Sequence, residues 1–205
     1  MTRIANRTAR DYRSQLRDEQ AEETRVRILD ATLRVMGGGV ASVSIPEIAR
    51  EAGVSVPTVY RHFGTKRDLL AAVYPYLSKR AGLRDLIVPE SVPEFREMVY
   101  TMFSRLESLG EVARAAMTSP ASDEPRRMQM PERKAMSQRF VAGVMPNATP
   151  TEQKRMARVL LVLASSSSMR MWREQIGASV DEAADDIDWV LRTIVAATNE
   201  GKKNR

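Results

Sequence analysis

The sequence contains no cysteine and only one histidine, His62. Without thiols the chain can form no disulfides, thiolate metal sites or cysteine nucleophiles, and a single imidazole cannot form a histidine-rich zinc site. No apolar run approaches the roughly 20 residues that a membrane-spanning helix needs. The N-terminus is polar and rich in arginine, unlike a secretory signal. We therefore expect a cytoplasmic protein with no metal site, no cofactor and no contact with membranes.

The positive charge is unevenly distributed along the chain. The 205 residues carry a formal net charge of +6, and 43% of them are hydrophobic, as in ordinary globular domains. Residues 1–81 contain 14 Lys and Arg against 9 Asp and Glu, whereas residues 82–205 contain 18 against 17. This asymmetry favours a polyanionic partner for the N-terminal part. Charge alone is equally typical of a solvated basic surface.

Apolar residues recur at helical spacing in almost every segment, and no run has the period of a β-strand. The sequence therefore predicts an all-α protein of about nine helices. We expect a flexible basic arm over residues 1–17, because this stretch holds five arginines and few large apolar side chains. Proline and glycine near residue 82 predict a boundary between helical domains at 18–81 and 82–205.

Two further boundaries are predicted in the C-terminal domain. Three prolines between residues 119 and 131 indicate a loop. A capping box at Thr149 and Glu152 opens what we expect to be one long helix, which stops at Gly177.

Residues 44–63 are predicted to form two short helices joined by a tight turn. Ser44 and Glu47 have the spacing of a capping box, and Gly53 is placed to stop the first helix. Ser55 can cap the second helix. This arrangement is typical of a helix-turn-helix, whose second helix places its N-terminal residues in the major groove of DNA.

The surface of this second helix is predicted to be basic. No acidic residue lies between Glu51 and Asp68, whereas four basic side chains fall in that window, and such a surface can approach phosphates. A plain helical hairpin in a bundle has the same spacing and is the alternative interpretation. Another helix follows from about Thr65, and Pro75 inside it predicts a kink.

Residues 44–70, SIPEIAREAGVSVPTVYRHFGTKRDLL, closely resemble the DNA-binding motif of the tetracycline-repressor (TetR) family of bacterial transcription regulators. The preceding residues 24–31, TRVRILDA, resemble the first helix of that family. The resemblance covers roughly residues 20–80. It implies an N-terminal three-helix DNA-binding head and a C-terminal helical domain that dimerises and binds a small inducer.

The resemblance implies ten DNA-facing positions. They are Ser44, Ile45, Ser55, Val56, Pro57, Thr58, Tyr60, Arg61, His62 and Lys66. Lys66 matches a family position that contacts a phosphate beside a helix N-terminus, where backbone N–H groups also attract anions. Arg61 is the best candidate for reading guanine, because its guanidinium fork matches O6 and N7.

The other contacts implied by the resemblance are less specific. Tyr60 can donate its hydroxyl to a phosphate, and Thr58 can offer a methyl group to thymine or a hydroxyl to phosphate. For His62 we expect phosphate contact and packing rather than catalysis or metal binding. The arm at residues 1–17 either threads the minor groove, adds only non-specific attraction to phosphates, or is disordered.

Methionine is concentrated in the C-terminal domain, where ten of the twelve lie at or after Met98. Met suits a pocket for varied apolar ligands, although each Met alone is more typical of a helical core. The resemblance places the family pocket among the fifth to eighth helices. The candidate lining residues are Met98, Met102, Phe103, Met117, Met136, Phe140 and Trp172.

The last two helices resemble the dimerising pair of the family. The candidate interface residues are Leu160, Leu163, Ile187, Val190, Leu191, Ile194 and Val195. The serine run 165–168 has no nearby base, which favours close helix packing over a hydrolase. The acidic cluster at residues 181–188 begins a helix, where it offsets the macrodipole, so we do not expect it to bind a metal.

These observations predict a regulator rather than an enzyme. We expect a homodimeric transcriptional repressor that binds a pseudo-palindromic, double-stranded DNA operator and is released by a small apolar effector. A DNA-binding organising or regulatory protein without an inducer is the alternative. An all-α enzyme would need converging acid, base or metal ligands, and the sequence shows none.

Overall fold

The computed structural model describes residues 2–38 and 43–200, and within them every regular element is helical. This confirms the all-α prediction, with ten α-helices in these ranges where about nine were expected. They are α1 Thr2–Gly37, α2 Ile45–Ala52, α3 Val56–Phe63, α4 Lys66–Arg80, α5 Val92–Ser108, α6 Glu111–Thr118, α7 Asp123–Val144, α8 Pro150–Leu163, α9 Ser166–Arg170 and α10 Val180–Glu200. None of the described helices is both long and apolar enough to cross a membrane.

Helices α1 to α4 form an N-terminal unit, called the head below. The second half of α1 packs on α2, α3 and α4. Its Ile28 and Leu33 are buried together with Ile48, Val59 and Leu70 of the other three helices. This shared core fixes the positions of the two short helices, which are too short to be stable alone.

The first helix is longer than the sequence predicted. It begins at Thr2, so the expectation of a flexible arm over residues 1–17 is wrong for the backbone of residues 2–17. The segment before Gly37 contains neither glycine nor proline and is rich in Arg, Ala, Gln and Glu, which are strong helix formers. A helix already nucleated on the head core can therefore extend toward the N-terminus.

Two helices connect the head to the C-terminal region. The end of α1 packs on α6, and a Cβ on Gly37 would lie 3.1 Å from the carbonyl oxygen of Val112, a tight contact that favours glycine at this close approach. Helix α4 runs from Lys66 to Arg80 with Pro75 inside it. Because proline has no N–H, the carbonyl of Ala71 lacks its usual partner one turn along this helix.

Helices α5 to α10 form the C-terminal region, where two predicted boundaries were wrong. The expected loop at residues 119–131 is instead a short 3-10 turn followed by α7, which continues through Pro131. The expected long helix after Thr149 breaks at Ala164, where Ser165 caps α9 and a π-helical turn, Met171–Ile176, follows.

Candidate nucleic-acid interface and ligand cavity

Hydroxyl caps and one left-handed glycine define the helix-turn-helix. The Ser44 hydroxyl accepts the N–H of Glu47 at 3.3 Å, and the Ser55 hydroxyl accepts the N–H of Thr58 at 3.2 Å. Gly53, at φ 64° and ψ 37°, ends α2 and sends its N–H back to the carbonyls of α2. A left-handed residue at this position lets α3 start after only two intervening residues.

The inner faces of the two short helices are fully buried. Ile48, Ala49 and Val59 are 2% exposed or less, and Phe63 is 6% exposed. Arg25 of α1 holds the end of α3 in two ways: its guanidinium lies 4.4 Å from the ring centroid of Phe63 and donates to the carbonyl oxygen of His62 at 3.3 Å. Cation–π contact and a charge at a helix C-terminus both stabilise this orientation.

Most of the predicted DNA-facing residues lie on the outer surface of this motif. Ser44, Ser55, Pro57, Tyr60 and Arg61 are exposed. A second group, Val56, Thr58, His62 and Lys66, is half-buried. The exposed fraction of Tyr60 is 45%, which is unusual for a large aromatic side chain.

Ile45 does not belong to this surface. Its side chain is only 5% exposed and packs in the head core, so at this predicted position only the backbone at the start of α2 can face DNA. It begins α2 directly after the Ser44 cap, and at such a position the first buried residue of an amphipathic helix anchors the end to the core.

Local hydrogen bonds and charges prepare three of the outward groups. The hydroxyls of Ser55 and Thr58 bond to each other at 2.8 Å, so each hydroxyl already has a partner within the motif. Burial lowers the pKa of His62, and the positive charges of Arg61 and Arg25 lower it further, against a small opposing effect of Glu22. His62 is therefore mainly neutral at pH 7.

The start of α4 supplies a positive group beside the motif. Thr65 caps this helix by accepting the N–H of Asp68 at 3.1 Å, and its hydroxyl donates to the Asp68 carboxylate at 2.6 Å. Lys66 is the first residue after this cap. A lysine at a helix N-terminus, with the unpaired N–H groups of the first turn, attracts a phosphate.

The C-terminal region contains a cavity of about 480 Å³, a size typical of small-molecule sites. Four of the seven predicted pocket residues line it: Met98, Met102, Met136 and Phe140. The sequence reasoning did not identify Tyr74, Pro75 and Ser78 of α4 as lining residues, or Ile87 and Val88 of the loop before α5. The high apolar content of residues 83–89 was the available signal for that loop.

Three predicted pocket residues lie elsewhere. Phe103 is 0% exposed in the core, Met117 lines a separate cavity of about 600 Å³ beside Gly37, and Trp172 packs against the core without lining the 480 Å³ cavity. Helical spacing predicts an inward direction, but it does not distinguish a core position from a cavity wall.

The predicted interface residues divide into two groups. Leu160, Ile187 and Leu191 are 1% exposed or less within a single chain, so their assignment to an interface between chains is wrong. Leu163, Val190 and Val195 are half-buried, and Ile194 is 39% exposed. Inward-facing residues of α10 are needed to cover α5, on which this helix packs.

Other apolar side chains on the same two helices are much more exposed. On α8, Val159 is 41% and Val162 is 66% exposed, and on α10, Trp189 is 67% exposed. Val159 and Val162 are three residues apart and share one face of the helix. The tryptophan within an acidic segment was a usable sequence signal for an outward apolar residue.

The serine run and the acidic cluster have structural partners. Ser165 caps α9 by accepting the N–H of Ser168 at 3.0 Å. Asp185 accepts a hydrogen bond from Arg96 at 2.9 Å, Asp181 also pairs with Arg96, and Asp188 pairs with Arg192 at 2.5 Å. Over residues 2–38 and 43–200, no group of three His, Asp or Glu is placed to hold a metal ion.

Sequence comparison identifies relatives of this chain. Residues 28–73 match the family described as "Bacterial regulatory proteins, tetR family". The chain is 32% identical over 113 residues to the HTH-type transcriptional regulator AcrR of Shigella flexneri, a match that covers 55% of this chain and 48% of AcrR. It is 30% identical over 144 residues to the HTH-type transcriptional repressor KstR of Rhodococcus jostii, covering 68% of each protein. The chain thus matches about half the length of the first relative and two thirds of the second.

A solved structure has the same fold. The tetR-family transcriptional regulator from Streptomyces coelicolor aligns with a TM-score of 0.58 at 23% identity, covering 88% of this chain and 85% of that one. The agreement extends beyond the helix-turn-helix into the C-terminal helices. The capped motif, the similarity to KstR over two thirds of both sequences and the shared fold together show that this chain belongs to the tetracycline-repressor (TetR) family of bacterial regulators.

Proposed function

We propose that the protein is a sequence-specific DNA-binding transcriptional repressor, not an enzyme, which acts as a homodimer and leaves a pseudo-palindromic operator when a small apolar ligand binds. One observation carries this proposal. The outer surface of α3 exposes Tyr60 and Arg61 with no acidic neighbour between Glu51 and Asp68, on a motif whose inner face is buried.

Within this proposal the exposed residues have distinct roles. Arg61 reads a guanine in the major groove, because a guanidinium can bond O6 and N7 together. Tyr60 and Lys66 contact phosphates, which fixes the register of α3 without reading sequence. Ser44 adds a phosphate contact at the start of α2, and Thr58 packs its methyl group on a thymine.

The homodimer is proposed to form through the outward apolar residues of α8 and α10. Large exposed apolar side chains mark interaction surfaces, and Val159, Val162, Trp189 and Ile194 are the strongest such group on these helices. Two copies joined there would present two heads to successive major grooves, which is the geometry that a palindromic operator requires.

Helix α4 is proposed to couple the ligand to DNA, because it belongs to both regions. Leu69, Leu70 and Val73 are buried in the head core, whereas Tyr74, Pro75 and Ser78 line the 480 Å³ cavity. A ligand that fills the cavity therefore contacts the helix that positions the head.

The far half of α4 is also bound to α1. Asp30 accepts hydrogen bonds from the hydroxyl of Tyr76 at 2.7 Å and from Arg80 at 2.8 Å. Burial, reinforced by the bond to Asp30, raises the pKa of Tyr76, so this hydroxyl keeps its proton over the neutral range. A shift of α4 beyond Pro75 is thereby passed to α1 as well as to α3.

The experiment is to select operators from random double-stranded DNA and then to titrate operator binding with and without candidate ligands. A ligand that favours the DNA-free state weakens operator binding, and the operator weakens ligand binding by the same factor, typically about 5- to 150-fold. Pro75→Ala restores the missing N–H and is expected to change this factor while both regions stay folded. Tight operator binding that no compound alters would instead favour a regulator without an inducer, and absence of any selected sequence would reject the proposal.

A further inference from the structure

The mouth of the 480 Å³ cavity lies between α7 and the chain segment that follows α4. Most of the residues that line this cavity are buried or half-buried, but four are exposed. They are Ile87 and Val88, which come before α5, and Glu132 and Met136, which share one face of α7. Since an exposed lining residue lies where a cavity meets solvent, these four side chains mark the opening.

Three of the side chains at this opening are apolar. Ile87 is 80% exposed, more than any other large apolar residue in the described parts of the chain, and Val88 is 56% exposed. On the α7 side of the opening, Met136 is 38% exposed. Apolar side chains that gather at one place on a surface mark a site that another apolar group covers. A movement that closed the mouth would cover all three.

Residues 83–88, called the strap below, are fixed at both ends. Before the strap, Gly82 has a left-handed backbone with φ 66°, and its carbonyl accepts a hydrogen bond from Arg105 of α5. After the strap, Pro89 is buried. The strap is therefore a short segment of chain between two anchored points at the rim of the cavity.

The middle of the strap is loosely held. The N–H of Leu86 bonds to the carbonyl of Leu83 at 3.4 Å, which is longer than usual, and the backbones of Ile87 and Val88 make no hydrogen bond among the described residues. Residues 86–88 also line a second cavity of about 570 Å³, so they form a thin wall with open space on both sides. A segment with few hydrogen bonds and few packed neighbours moves at low energetic cost.

We infer that the strap is a lid: when an apolar molecule occupies the cavity, Ile87 and Val88 move across the mouth toward Met136 and enclose that molecule. Closure removes apolar surface of the lid and of the bound molecule from water together, which drives it. Loops that close in this way control how fast a molecule enters and leaves. The 3-10 turn of the strap, Leu83–Asp85, packs on α4, so closure acts on the helix proposed to carry the signal to the head.

This inference rests on the effector cavity of the proposed function, and its first test is the rate at which the DNA-free protein releases an apolar probe. The probe is N-phenyl-1-naphthylamine, an uncharged fluorophore, followed by stopped-flow fluorescence. Ile87→Ser should raise the dissociation rate about tenfold, the factor that burial of one aliphatic side chain is worth, and should leave folding unchanged. Ile176→Ser, at a 60% exposed position that does not line this cavity, is the matched control and should release the probe at the wild-type rate.

A cross-link distinguishes a moving lid from a fixed wall. The chain contains no cysteine, so a variant with both Ile87→Cys and Met136→Cys can form one intrachain disulfide. Bound probe should speed the formation of this disulfide. The oxidised form should then take up and release the probe at least about tenfold more slowly than the reduced form, because the mouth is held shut.

Three results would overturn the inference: release from Ile87→Ser at the wild-type rate, cross-linking that the probe does not accelerate, or a wild-type chain that binds no probe. A probe that the lid retains as expected but that does not weaken operator binding would contradict ligand-controlled release instead. The failure of the lid and the failure of the proposed function are therefore distinguishable.

Discussion

In the helix-turn-helix each helix boundary is marked by a residue beside it in the sequence, whereas the walls of the ligand cavity come from helices that are far apart along the chain. In the head, Ser44, Ser55 and Thr65 each cap a helix by accepting an N–H three residues later. The cavity is lined by residues of α4, α5, α7 and α8, and the ring centroids of Phe95 on α5 and Phe140 on α7, which both line it, lie 4.8 Å apart.

This difference suits two different tasks. Local caps, together with the buried core of the head, keep the two short helices in one geometry relative to each other, which base recognition requires. Long-range contacts make the cavity dependent on the relative positions of whole helices, so a ligand can change it. Helix α4 belongs to both regions and is the element through which we propose that a change in one reaches the other.

The largest expected effect is the loss of folding when a core residue of α10, rather than a residue on its outer surface, is replaced by aspartate. Leu191→Asp places an unpaired carboxylate at a position that is 0% exposed, which costs several kcal/mol and should leave the chain unfolded or insoluble. Ile194→Asp, at 39% exposure, should leave it folded and monomeric. Circular dichroism and sedimentation check both variants. A soluble, folded Leu191→Asp chain would show that α10 is not part of the core.

A second substitution tests whether the head can unfold while the C-terminal region stays folded. Phe63→Ala removes a side chain that is 6% exposed and should cost about 3–5 kcal/mol, which abolishes DNA binding. Amide hydrogen exchange should show the loss of protection confined to the head. Tyr60→Ala, at a 45% exposed position, is the control and should change stability by less than about 0.5 kcal/mol. Equal loss of amide protection in the head and in the C-terminal region would show that the two regions do not unfold independently.

The difference between boundaries marked by nearby residues and packing between distant helices also explains how much of the structure the sequence could predict. The helix-turn-helix was predictable because residues next to each helix end determine where that end lies. Ser44 and Ser55 cap the starts of α2 and α3, and Gly53 ends α2, as the sequence predicted. The burial of the Ile45 side chain was not predicted, because a position in a motif does not reveal burial, which depends on packing in the head core.

The C-terminal region was less predictable because tertiary packing overrides local signals there. Pro131 predicted a loop but lies inside α7, whose packing on α8 and α4 offsets the lost hydrogen bond. The serines after Ala164 favour capping over helix continuation. Only the structure shows that α8 ends at Leu163 and that Ser165 caps a new helix, α9.

A smaller effect is expected from the residues proposed to touch DNA. Arg61→Ala should cost about 1–3 kcal/mol and relax the sequence preference at one operator position in each half-site. Lys66→Ala should weaken binding to all sequences alike and lower the salt slope by about 1 for each head. Neither should alter folding, because Arg61 is exposed and Lys66 is half-buried. Fluorescence anisotropy against operator variants at several salt concentrations measures both. A uniform loss in both variants would reject the division between reading and positioning.

The smallest expected effect is a pH dependence at His62, with opposite signs for stability and for DNA binding. Burial first, then Arg61 and Arg25, lower the pKa of His62 below the ordinary 6.5. The unfolded chain therefore takes up the proton first, and the stability contributed above pH 6.5 is lost as the pH falls. A DNA phosphate beside His62 would raise its pKa, so binding takes up protons and operator affinity should rise as the pH falls, by less than about tenfold per unit for each head. His62→Gln should flatten both profiles. Operator affinity that is independent of pH between 5.5 and 7.5 (about one unit either side of the ordinary pKa) would contradict a phosphate contact, because a neutral ring away from DNA has no reason to change its proton affinity on binding.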